Sequence, residues 1–154
     1  MKKLFATIVL LSGLLFNPVS LFLITASAQV SDCPGEWAEE FFTIQLAFRD
    51  VIQSVTPDVE ADALTDMMLT SQDLTSQLLD MSLPPCAEPL RQSLLRVFTD
   101  NNNMFFSIVA MKAGYLTRDE FLARARLADT RITSEYEIYR LLVQEYMEGN
   151  QQSG

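Results

Sequence analysis

From Trp37 onward the apolar residues fall into four stretches, each spaced by three and four and each broken at proline or glycine. In the first, Trp37, Phe41, Ile44, Phe48, Val51 and Val55 share one face of a helix that turns every ~3.6 residues. This predicts a helix over 34–55. Pro34 suits its opening turn, where a missing N–H costs nothing. Glu36, Glu39 and Glu40 lie near the positive end of its dipole. Thr56-Pro57 closes it.

The second stretch predicts a helix over 57–82, with Leu64, Met67, Leu74, Leu78 and Met81 as its apolar stripe. Asp62, Asp66, Asp73 and Asp80 recur on another face. Leu83-Pro84-Pro85 ends it, because proline disfavours helix in the residue before it. The third helix is predicted over 87–113, with Leu90, Leu94, Phe98, Phe105, Ile108 and Val109 in the stripe. The run Asp100-Asn101-Asn102-Asn103 is a poor helix former in mid-span, which predicts either a kink or a polar face. Gly114 reads as a terminator. Thr117-Arg118-Asp119-Glu120 reads as a capping box opening a fourth helix over 118–148. There Phe121, Ala125, Ala128, Ile132, Tyr139, Leu142 and Tyr146 form a heptad-like seam.

No stretch alternates with a period of two, so the expected fold class is all-α. Four helices of similar length joined by short turns predict an antiparallel up-down-up-down four-helix bundle. The cysteines bear on this independently. Cys33 precedes the first helix and Cys86 the third, and in such a bundle both points lie at one end, within reach of a disulfide.

The chain ahead of the helices has a different character. Lys2 and Lys3 are followed by an apolar run from Leu4 to Ile24 and then by Ala26-Ser27-Ala28, the three parts of a cleavable secretory signal. The expected division is 1–28 signal peptide, 29–149 four-helix domain and 150–154 a mobile polar tail, with Gln29 the first mature residue. The alternative is a retained anchor through residues 4–24, long enough to approach the ~20 residues of a membrane span, with the domain outside the cytoplasm. Asp32 before Cys33 does not suit a lipid-attachment site. Export makes the protein secreted or periplasmic, and there an even cysteine count reads as a disulfide, Cys33 with Cys86.

Charge narrows the partners. The chain has 20 acidic and 11 basic side chains, a net of −9, and no histidine. Residues 29–86 hold 11 acids and a single base, Arg49, whereas residues 87–154 hold nine acids and eight bases. An acidic surface repels nucleic acid and anionic lipid. We therefore expect no nucleic-acid partner, and a membrane only if the N-terminal segment is retained. Without histidine, Ser-His-Asp triads, Cys–His dyads and His-ligated haem or zinc are unavailable.

Other candidate chemistry is thin. Gly114–Phe121 resembles the second half of a calcium loop, but Val109, Met111 and Ala113 would fill its first ligand positions and offer no side-chain oxygen, against the six to eight oxygens calcium takes. Glu39 and Glu40 diverge on a helix. Asp62 and Asp66 lie one turn apart with no nucleophile or oxyanion donor beside them, so a solvated face explains them. The seven methionines, with Met67, Met81 and Met111 on or near the stripes, read as adaptable core filling rather than soft-metal ligands. Arg118, Arg124, Arg126, Arg131 and Arg140 make the fourth helix locally basic. We expect no enzyme activity, cofactor or metal. The remaining signal is aromatic. Phe41-Phe42 and Phe105-Phe106 widen the apolar stripes, and Trp37, Phe41, Phe42, Phe105 and Phe106 form a candidate apolar binding surface. The expected function is that of a binding protein of the cell envelope or extracellular space, joined to a protein partner or to itself. The alternative is an apolar small-molecule or lipid carrier with a Phe-lined internal pocket.

Overall fold

Four helices carry the chain in the computed structural model, which describes residues 33, 35–56 and 59–152, with side chains through Gly149. They are α1 (Ala38–Gln53), α2 (Ala61–Asp80), α3 (Glu88–Lys112) and α4 (Arg118–Gln152), with a short 3-10 turn, Pro85–Ala87, between α2 and α3. No strand occurs among the described residues, and the fold is all-α. The predicted signal and its cleavage site lie outside the described residues, as do Pro34 and Pro57.

The boundaries differ from the periodicity where the backbone has other uses. Helix α1 starts at Ala38 rather than 34. Gly35 costs a helix about 1 kcal/mol relative to alanine, and it stays in a turn whose carbonyl accepts the Ala38 N–H at 3.0 Å. Helix α2 starts at Ala61. The chain before it is used in turns, Val55 N–H to Ile52 and Val59 N–H to Thr56, and Glu60 is extended at φ −64, ψ 154. Helix α4 runs through Gly149 to Gln152, beyond the predicted stop, because one glycine weakens a helix without terminating it. The Asp100–Asn103 segment makes no break in α3.

The α3–α4 corner is specified locally. Gly114, at φ 81, takes the left-handed conformation that only glycine adopts freely. Its N–H donates to the Met111 carbonyl and the Tyr115 N–H to that of Ala110 at 2.8 Å, so the last carbonyls of α3 are satisfied. The Glu120 carboxylate then accepts from the Thr117 N–H at 2.8 Å and the Thr117 hydroxyl at 2.7 Å, while the Glu120 N–H donates back at 3.3 Å. That is the reciprocal cap expected from the sequence.

The predicted stripes are the buried faces. One cluster holds Trp37, Phe41, Ile44 and Phe48 of the α1 side against Leu78, Met81, Leu90, Leu94 and Phe98, with Tyr139 and Tyr146 from α4. A second holds Leu64, Phe105, Ile108 and Phe121. Each large apolar side chain contributes roughly 1.5–3 kcal/mol on burial. Phe48 of α1 stacks on Phe98 of α3 at 3.5 Å.

Cross-helix polar bonds fix the register. On α3, Ser93 bonds the Glu135 carbonyl, Arg96 pairs with the Glu135 carboxylate at 3.2 Å and Asp100 pairs with Arg131 at 2.9 Å. On the other side of α3, Arg91 reaches the carbonyls of Leu79 and Met81, and Asn102 meets Ser71 and Thr75. Positions thus fall on α4 and on α2 as they rise on α3.

Candidate functional site

An open groove of about 250 Å³ runs along the outside of α3 and α4. Asn103, Met104, Phe106 and Ser107 line it from α3, and Arg124, Leu127, Ala128 and Arg131 from α4. Its shape follows from side-chain size and helical phase. Phe105 takes the inward position, so Phe106, about 100° further round the helix, points away and is 61% exposed. On α4 the inward position is Ala128, and its neighbour Leu127 is 62% exposed. Ser107 and Ala128, both buried, give the groove a floor of small side chains between two apolar walls.

The groove is rimmed by cations. Arg131 is held by Asp100 at 2.9 Å yet remains half exposed. A guanidinium has five N–H donors in a fixed fork, so one contact leaves donors for a ligand. Arg124 lies one turn from Glu120 and is exposed. The Thr117 hydroxyl and backbone N–H, with a smaller contribution from Arg124, hold the Glu120 carboxyl below its usual range. The groove can therefore receive an apolar side chain flanked by carboxylates.

The aromatic residues singled out in the sequence are distributed over three places. Trp37 and Phe41 are buried together with Phe42 against them, ring centroids 5.5 Å and 5.4 Å apart, and Tyr146 closes on Trp37 at 5.2 Å. Phe105 is buried in the second cluster, and Phe106 alone of the five is exposed. The indole N–H of Trp37 is buried with no hydrogen-bond partner, which costs ~1–3 kcal/mol. Leu127 was not a sequence candidate. The available signal was its position off the α4 seam, between Arg124 and Arg131.

Other features resolve simply. Cys33 and Cys86 are joined in a disulfide with Cα atoms 5.6 Å apart, buried on the Cys33 side beside Trp37. Gly114, Thr117 and Glu120 form the helix stop and cap described above. Among the described residues no three His, Cys, Asp or Glu side chains are grouped to hold a metal. Asp62, Asp66, Asp73 and Asp80 are all exposed. Met67, Met68 and Met111 pack around the second cluster. No described helix is long and apolar enough to cross a membrane.

Comparison with protein-family models, with curated proteins and with solved structures finds no match to this chain.

Proposed function

We propose that this protein is an exported, disulfide-closed bundle that acts by binding another protein chain through the Phe106–Leu127 groove. The observation that carries it is the exposure of Phe106 and Leu127, 61% and 62%, side by side between Arg124 and Arg131. A large apolar pair rimmed by charge is the pattern of a contact surface.

The proposed architecture is the antiparallel up-down-up-down bundle. It is supported by contact positions that fall on α2 and α4 as they rise on α3, and by α1 meeting α4 through Trp37–Tyr146 and Phe41–Tyr139. Cys33 and Cys86 at one end agree with it. The proposed location is secreted or periplasmic, with residues 1–28 removed. The disulfide supports this, since such bonds persist in oxidising compartments. The apolar-carrier reading takes second place. It requires phenylalanines that line a void, whereas Phe48 and Phe98 stack at 3.5 Å and Phe41 meets Trp37 and Phe42 edge-on.

Native mass spectrometry of the protein from the envelope or secreted fraction of its host tests this reading. The expected species starts at Gln29, has Cys33 and Cys86 joined, and occurs in complexes heavier than one chain. A single chain retaining residues 1–28, with both thiols free, contradicts it.

A further inference from the structure

The groove on α3 and α4 has a counterpart on the same molecule. The outer face of α2 carries Asp62, Asp66, Leu69, Asp73 and Asp80, all exposed, with Leu69 at 54%. Residues spaced by three and four lie on one helical face. Asp66 precedes Leu69 by three residues and Asp73 follows it by four. On α4, Arg124 precedes Leu127 by three and Arg131 follows it by four. The two stripes have the same spacing about a central exposed leucine, and their charges are opposite.

The two stripes also stand at nearly the same height. Asn102 of α3 bonds Ser71 and Thr75 of α2 on one side, while Asp100 pairs with Arg131 of α4 on the other. Leu69 and Leu127 are each within about one helical turn of those contacts. A single molecule cannot bring its own stripes together. Helix α2 packs on α1 and α3, and the α4 stripe faces outward from the α3–α4 groove.

We infer that the groove receives the α2 stripe of a second copy of this chain. Leu69 of one copy enters between Phe106 and Leu127 of the next, with Asp66 and Asp73 beside Arg124 and Arg131. This inference rests on the groove being the binding surface. A ridge of one helix fills the trough between two others, as in ordinary helix packing. The interface is head-to-tail, so a pair leaves the stripe of one copy and the groove of the other unused, and association continues to a ring or a chain. Without residues 1–28, which include Lys2 and Lys3, the chain carries 20 acids and nine bases, and this net of −11 opposes association at long range. At physiological salt that repulsion is screened beyond about 8 Å, while charge pairs in contact persist.

Sedimentation equilibrium of the exported protein in about 0.15 M salt, across rising concentration, reads this directly. The wild type associates beyond dimers. Arg124→Glu puts acid in the groove opposite an acidic stripe. Asp66→Lys with Asp73→Lys puts base on the stripe opposite a basic groove. Each of these variants alone associates at least tenfold more weakly. An equimolar mixture of the two regains pairwise association, because the unaltered stripe of the first meets the unaltered groove of the second. Leu69→Ser, a neutral change at an exposed position, weakens association while unfolding at the wild-type temperature. Variants that associate like the wild type, or a mixture that does not recover, overturn the inference. A wild type that stays monomeric by itself while a different chain occupies its groove also overturns it, and leaves the groove reading intact.

Discussion

Asn102 sits mid-helix among residues that favour turns, and its amide side chain bridges α3 to α2. Its amide N–H₂ donates to Thr75 at 2.9 Å and its carbonyl accepts from the fully buried Ser71. Its neighbours are deployed differently. Asp100 pairs with Arg131, Asn101 donates to the Val97 carbonyl at 2.8 Å, and Asn103 lines the exposed groove. The alternatives open in the sequence, a kink or a polar face, thus resolve into a polar layer that locks α3 to α2 and α4 without breaking the helix. Removing one partner leaves a buried group unsatisfied, at a cost of ~1–3 kcal/mol. Asn102→Ala should lower unfolding stability by about that much. Asn103→Ala, at an exposed position, should change it by less than about 0.5 kcal/mol. Denaturant unfolding of the two variants separates them. Which asparagine bridges which helix was not legible in the sequence, because four polar residues in a row carry no record of their tertiary partners. The phase of the doublet Phe105-Phe106 was legible in part. The spacing from Phe98 to Phe105 to Ile108 selects Phe105 for the core, but it cannot say that Leu127 stands beside the residue left outside.

Among elements, α1 and α4 meet in a distinctive way. Their contact is made by rings, Trp37 on Tyr146 and Phe41 towards Tyr139, with the Tyr139 hydroxyl donating to Gln45 at 3.1 Å. Burial, with a lesser contribution from Tyr136, pushes the Tyr139 phenol well above its ordinary value. The folded state therefore holds this proton more tightly than the unfolded chain does. The associated stability is fully present below the unfolded phenol value near 10 and declines as pH rises above it. Unfolding midpoints should hold level from about pH 7 to about 9 and fall above about 10. Tyr139→Phe should flatten that alkaline fall. Tyr136, half buried and also raised by desolvation, retains a smaller share of it. Helix seams, the Gly114 stop and the Thr117–Glu120 cap were all legible because each is written in local sequence. The 3-10 turn Pro85–Ala87 and the helix ends were less so. They depend on where the turns before α2 and α3 place backbone carbonyls, and apolar spacing does not encode that.

At the scale of the molecule, the fold leaves the strongly acidic first half and the nearly balanced second half on different helices. The first half keeps a row of exposed aspartates on α2, and the basic residues of the second half are partly consumed in pairs such as Arg96–Glu135 and Arg131–Asp100. Around the exposed apolar pair Phe106 and Leu127, Arg124 stands open to solvent, and the binding proposal rests there. A photo-crosslinking residue placed at Leu127 tests it most directly, with Thr133, exposed on another face of α4, as the control. The account predicts a covalent adduct to a second chain from position 127 and none from 133, with the adduct at twice the protomer mass if the partner is another copy. No adduct at 127, or equal adducts at both positions, would contradict it.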